Sequence, residues 1–150
     1  MPQSYVNLIY HVVFSTKDRE PLITDAHQTR LYEYIGGIVR AQGGVALAIN
    51  GMADHVHLLA RLRQDKALAD VIRDLKAGAS GWMHKVFPEA QAFAWQNGYG
   101  AFTVSASQVE TVRRYIANQQ AHHQRQSFQD EFTGMLKLNE IEFKPEFLWK

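Results

Sequence analysis

At 150 residues the chain fits one domain with room for a substantial core, so residues 1–150 are expected to form a single unit. Its 46% hydrophobic and 21% charged composition excludes an intrinsically disordered chain, and the absence of cysteine excludes disulfides, thiolate nucleophiles and Cys-based zinc sites. A net charge of +1 argues against non-specific coating of duplex DNA but leaves room for a local basic patch.

The opening stretch from Ser4 to Ser15 is apolar, lacks a basic leading region and is interrupted by Asn7 and His11. It reads as a buried first strand rather than a signal peptide. No stretch approaches the roughly 20 apolar residues that span a bilayer, so a cytoplasmic protein with no membrane association is expected. Lys17-Asp18-Arg19-Glu20-Pro21 ends the strand in a polar loop. A helix follows over Thr24 to Gln42, with Leu31, Tyr34, Ile35, Ile38 and Val39 at helical spacing, and Gly43-Gly44 stops it. Val45 to Met52 and His55 to Arg63 read as two strands joined tightly enough for an antiparallel hairpin. A second helix spans Ala67 to Val86, closed by Pro88. After the turn-like Asn97-Gly98-Tyr99-Gly100, a fourth strand covers Ala101 to Ser105. A third helix is expected over Ser107 to His123, a further one over Phe128 to Leu138, and the aromatic tail Phe143 to Lys150 is expected to pack across the body. The order β-α-β-β-α-β, with antiparallel strands and two helices on one face, predicts a ferredoxin-like α+β sandwich extended by C-terminal helices. Such a fold hosts many functions and decides none of them.

Two segments carry chemistry. In Asp54-His55-Val56-His57-Leu58-Leu59, strand alternation puts both imidazoles on one face and Val56 and Leu58 on the other. That spacing suits two nitrogen ligands of one divalent metal, although two half-exposed strand histidines that bind nothing fit the bare motif equally well. In Val109 to Gln119, Tyr115 and Gln119 are four apart and share a helical face beside the apolar stripe of Val109, Val112 and Ile116. By itself Tyr115 also fits a core-edge tyrosine, and Gln119 a solvated surface residue.

Four segments in order give a more specific signal: His11-Val12-Val13-Phe14-Ser15-Thr16-Lys17, the His-x-His segment, Trp95-Gln96-Asn97-Gly98-Tyr99-Gly100-Ala101-Phe102, and Tyr115-Ile116-Ala117-Asn118-Gln119-Gln120-Ala121-His122-His123. With them the chain resembles, along nearly its whole length, the HUH single-tyrosine transposases of short insertion sequences and their REP-associated relatives. The closing Phe147-Leu148-Trp149 is similar to the family's ending. The resemblance implies that His55, His57 and Gln119 hold Mg²⁺ or Mn²⁺. It implies that Tyr115 is the nucleophile, forming a 5′-phosphotyrosine and leaving a free 3′ hydroxyl on single-stranded DNA marked by hairpins. Asp54 is given no catalytic role.

A covalent intermediate stores the bond for rejoining, so no ATP is needed, in keeping with the absence of a Walker loop or any other nucleotide-cofactor motif. Two imidazoles and an amide oxygen leave coordination positions open for phosphate and water, unlike a closed structural zinc site.

If the third strand stays regular, Arg61 and Arg63 share the histidines' face and could meet the DNA backbone. Arg73 and Lys76 on the second helix, and Arg113 and Arg114 beside the nucleophile, are further DNA-binding candidates; each equally fits a solvated charge. His11, His122 and His123 could sit near the site, with a structural role the simpler expectation for His122. Trp95 and Tyr99 could stack on unpaired bases, though large aromatics before a strand more often enter the core. Cutting two DNA ends implies a homodimer. The alternatives are a domesticated relative that binds REP hairpins and a non-catalytic single-strand nucleic-acid-binding module. The latter predicts adjacent aromatics on a central strand, where this chain has His-Val-His.

Overall fold

The computed structural model describes residues 3–149. Four strands, β1 (Leu8–Ser15), β2 (Val45–Met52), β3 (His55–Leu62) and β4 (Gly100–Thr103), form one antiparallel sheet in the order β2-β3-β1-β4. Helices α1 (Asp25–Ala41) and α2 (Leu68–Val86) connect β1 to β2 and β3 to β4. This is the expected ferredoxin-like α+β arrangement.

Alternation along β1 and β3 divides the core. Val12, Phe14, Val56, Leu58 and Ala60 pack against Leu31, Ile35 and Val39 of α1 and Val71, Ile72, Leu75, Ala79 and Met83 of α2. The opposite face is not left to water. Ile9 and Leu59 pack there on Ile116, while Val13 and Phe102 pack on Phe128 and Leu136. Those partners belong to the C-terminal helices α3 (Val109–Ala117), α4 (Gln119–His123) and α5 (Phe128–Leu138), so the central strands are buried on both sides. A short α6 (Pro145–Leu148) and Trp149 close over α5, with the Trp149 ring 6.0 Å from Phe128 and 5.9 Å from Phe132. This is the expected packing of the tail; Lys150 lies outside the described residues. No helix among the described residues is long and apolar enough to cross a membrane.

The larger departures from the expected boundaries each have a physical reason. β1 starts at Leu8 rather than Ser4 because Leu8 pairs with Leu62, the last residue of β3, and no strand remains to pair Ser4 to Asn7. β4 is the shorter Gly100–Thr103, paired with Val13 to Tyr10. The expected helix from Ser107 to His123 is divided at Asn118, whose backbone (φ −98°, ψ 22°) leaves the helical range. Asn50 of β2 accounts for the break. Its Nδ2 donates to the Ile116 carbonyl at 2.9 Å and the Ala117 carbonyl at 3.3 Å, two acceptors that a continuing helix would use itself.

Candidate metal and nucleophile site

The face of the sheet opposite α1 and α2 carries His11 on β1 and His55 and His57 on β3. His55, His57 and Gln119 have no solvent exposure and Glu131 only 3%, so the four side chains meet inside the protein. Polar groups so placed persist only when they satisfy one another or hold an ion.

Asp54, in the β2–β3 turn, takes a hydrogen bond from His55 Nδ1 at 2.7 Å. A neutral imidazole that gives its one proton to Asp54 presents a bare Nε2 lone pair on its other side. That Nε2 faces Gln119 Oε1 at 2.9 Å and Glu131 Oε1 at 3.5 Å, both acceptors. Three lone pairs pointing together are what a cation would satisfy, and His55, His57 and Glu131 offer ligand atoms all within 4.8 Å of one another. The nitrogen and oxygen donors fit a divalent ion.

His57 is oriented from both ends. Its Nε2 lies 3.0 Å from Glu131 Oε1 and its Nδ1 lies 2.8 Å from His11 Nε2. Burial, reinforced by His57, lowers the His11 pKa to about 3 against the pull of Glu131, so His11 stays neutral and fixes the His57 ring as a ligand's outer partner does. Burial likewise holds His57 below the ordinary imidazole value, against Glu131.

Glu131 joins the halves of the site. Oε1 faces His57, His55 and His123, the last at 3.1 Å, while Oε2 accepts from Gln119 Nε2 at 3.0 Å and from the Tyr115 hydroxyl. Burial works against the ionised form, but hydrogen bonds from His57, Tyr115 and Gln119 outweigh it and hold the carboxyl well below the usual range. Burial, then the carboxylate beside it, pushes the Tyr115 phenol above its ordinary value. Tyr115 is half-buried and borders, with Glu131, a cavity of about 450 Å³ between α3, α5 and β4.

The structure thus brings together Tyr115, His55, His57 and Gln119, with His11 and His123 beside them, and adds Glu131. His122 lies alongside, its ring centroid 4.5 Å from that of Tyr115. No chemical role was expected of Glu131. The available signal was an acid inside an apolar helical stripe, three residues after Phe128 and beside Phe132.

The basic candidates fare unevenly. Arg61 is exposed and donates to Asn7, four residues along β3 from His57. Arg63 lies beyond the strand end and pairs with Asp65; Arg73 pairs with Asp70 and Asp74. Lys76 is half-buried and tied to the backbone. Its ammonium donates to the Gln96 and Gly98 carbonyls at 2.7 and 2.8 Å, which pins a loop. Arg113 and Arg114, on the same helix as Tyr115, pair with Glu110 at 3.8 and 3.6 Å and remain exposed. Trp95 is core, packed on Phe14 and Phe93 with its indole N–H given to the Lys76 carbonyl.

Comparison with known proteins shows the family. The profile of the family described as IS200-like transposases matches residues 4–119. The chain belongs to the IS200-like transposase family. It is 25% identical over 117 residues to the ISDra2 transposase TnpA of Deinococcus radiodurans, covering 75% of this chain and 84% of that one. A crystal structure of a proposed transposase from Deinococcus radiodurans R1 is 27% identical, with a TM-score of 0.63 over 79% of this chain and 96% of that one. A REP-associated tyrosine transposase bound to a REP hairpin shares the fold at 16% identity, with a TM-score of 0.60 over 82% and 73%. The resemblance seen in the sequence motifs is borne out. The matched span stops at residue 119, twelve residues short of Glu131.

Proposed function

We propose that this member of the transposase family cuts and rejoins single-stranded DNA at hairpin-marked ends, with Tyr115 as nucleophile. The observation that carries the reading is the meeting of the Tyr115 hydroxyl with His55, His57, Gln119 and Glu131 in one buried cluster. His55, His57, Gln119 and Glu131 would hold the divalent ion, Mg²⁺ or Mn²⁺. When bound, the ion supplies positive charge that polarises a phosphate oxygen and helps position the scissile group.

The chain's own residues perform the transfer. Tyr115 Oη bonds to the scissile phosphorus as the bond from phosphorus to the 3′ oxygen breaks, leaving a 5′-phosphotyrosine and a 3′ hydroxyl. Glu131 Oε2 already accepts the Tyr115 hydrogen bond and is the group placed to receive the phenolic proton, while the departing 3′ oxygen takes up a proton from water. Assistance is needed because burial and the carboxylate both disfavour the free phenolate. Attack by the 3′ hydroxyl of another end on the phosphotyrosine reverses the chemistry and joins the strands without ATP. Arg113 and Arg114, exposed beside Tyr115, are the best placed of the arginines to meet DNA phosphates. Handling two ends calls for a homodimer acting on cytoplasmic DNA.

The test is cleavage of single-stranded, hairpin-bearing oligonucleotides from the gene's own flanks, with Mg²⁺ or Mn²⁺. Wild type should give a covalent protein–DNA band on a denaturing gel that chelation removes and Tyr115→Phe abolishes. Cleavage that survives Tyr115→Phe would replace this reading with a water-using nuclease. Tight hairpin binding without any cleavage would point to a domesticated REP-hairpin binder.

A further inference from the structure

The Trp95-to-Phe102 segment contributes no group to the nucleophile and metal cluster, yet the structure builds it with care. Gln96 N donates to the Ser15 carbonyl, Lys17 N to the Ala94 carbonyl, and Asp18 N to Gln96 Oε1, each at 2.9 Å. Lys76 grips the loop from beneath and Trp95 anchors it in the core. Gly98 takes a positive φ of 83°, and Gly100 lies so close to Phe132 that a Cβ there would come within 2.6 Å of Cε1. The outcome is a rigid rim that presents Tyr99, 38% exposed, at the mouth of a cavity.

That cavity, of about 230 Å³, is walled by Ser15, Gln96, Tyr99, Phe128, Phe147 and Trp149 among others. It falls below the roughly 300–1,000 Å³ of a drug-sized pocket and suits one flat ring system. Phe147, 61% exposed, stands with Tyr99 at its solvent side. A row of rings ties it to the metal ligands. Phe128 stacks on His55 with centroids 4.3 Å apart and planes at 21°, and Phe132 lies 5.7 Å further at 28°.

A cation lies against one of the lining rings. The Arg19 guanidinium lies 4.9 Å from the Trp149 ring, and its Nη1 is buried with no hydrogen-bond partner among the described residues. An unsatisfied charged donor is costly to bury, and this one sits on a left-handed backbone (φ 57°) that arginine rarely adopts.

We propose that this cavity is a subsite for one unstacked nucleobase of the DNA strand, stacked against Tyr99 and Phe147, with Arg19 donating to the base edge or its phosphate. The proposal rests on the DNA-processing reading above. Stacking suits an unpaired base because each base has a π-face, and Arg adds a cation–π contribution. Since one ring separates the cavity from His55, the base belongs to a nucleotide near the scissile phosphate.

The test is an abasic scan. Hairpin-bearing oligonucleotides from the gene's flanks, each with one abasic nucleotide in the single-stranded stretch, are titrated against wild type, Tyr99→Ala, Phe147→Ala, Arg19→Gln and Tyr99→Phe, all confirmed folded by their melting curves. Tyr99 and Phe147 are exposed enough for their alanine variants to fold. In wild type one position should lose about tenfold in affinity when its base is removed, the size of a stacked base. That loss should vanish in Tyr99→Ala and Phe147→Ala and return in Tyr99→Phe. NMR titration with the tetranucleotides dA4, dC4, dG4 and dT4 should move the signals of Tyr99 and Trp149. A flat scan, or a loss unchanged in the alanine variants, while the DNA is still bound and cut, overturns the subsite and leaves the transposase reading intact. Failure of wild type to bind or cut any of these DNAs, with no shifts from the tetranucleotides, removes both.

Discussion

Both faces of the central sheet are covered by helices, but only one sets a polar cluster among its apolar contacts. On one face Val56, Leu58 and Ala60 of β3 meet the aliphatic stripes of α1 and α2. On the other, His55 and His57 of the same strand meet Gln119, Glu131, His123 and Tyr115 of α3, α4 and α5. The hydrocarbon face gains free energy in proportion to the area it removes from water. The polar face gains little net, because the cost of desolvating charged and polar groups offsets most of their mutual attraction. Stability and chemistry are thus assigned to opposite sides of one strand by its two-residue period, and a substitution should disturb one without the other.

The sharpest way to break that division is to compare Leu58→Ala with Tyr115→Phe. Leu58 is 1% exposed, so its truncation should lower the unfolding free energy by about 2–5 kcal/mol while cleavage per folded molecule stays near wild type. Tyr115→Phe should give no covalent product while stability changes by about 1 kcal/mol or less, the net worth of one hydrogen bond. Denaturant unfolding and the covalent-adduct gel read both variants. Loss of adduct in Leu58→Ala beyond its unfolded fraction would show the faces to be coupled.

A smaller effect sharpens the description of the polar face. Wild type with Mn²⁺ at about 100 times its Kd should gain about 2.7 kcal/mol of stability, seen as a rise in Tm that EDTA reverses. In Glu131→Gln the affinity for Mn²⁺, measured by calorimetry, should fall on the order of 10–100-fold and the rise in Tm should shrink with it. Undiminished Mn²⁺ affinity in that variant would leave Glu131 as a hydrogen-bond partner of Tyr115, Gln119 and the histidines and not a ligand.

How much of this was legible in the sequence follows the range of the forces involved. The strands and helices, and the sharing of one face by His55 and His57, are set by local periodicity and could be read directly. Tyr115 and Gln119 stood out through the resemblance, whose matched span includes both. Glu131 did not, because its part in the site depends on α5 folding back over the sheet, and its helix lies beyond that span. Lys76 reads as a surface cation in sequence because its acceptors are main-chain carbonyls 20 and 22 residues away. The division of the long helix was equally hidden, since the residue that ends α3 is Asn50, 66 residues before Ile116.

Asn50 supplies the smallest predicted effect and the most local test of the comparison. It sits on β2 directly opposite His57 in the sheet register, so one hydrogen-bonding group links the histidine strand to the break before Gln119. Its bonds are partly exposed, so Asn50→Ala should cost only about 1 kcal/mol of stability. The Ile116 and Ala117 carbonyls would then be free to accept from the next turn, favouring one continuous helix and turning Gln119 away from His55. Mn²⁺ affinity should therefore fall by more than the stability loss accounts for. Asn50→Asp, equal in shape but unable to donate, should behave the same way. Weaker stability with unaltered Mn²⁺ affinity in both variants would mean that residues 117–119 break the helix unaided, and that this hydrogen bond belongs with the packing of the sheet edge.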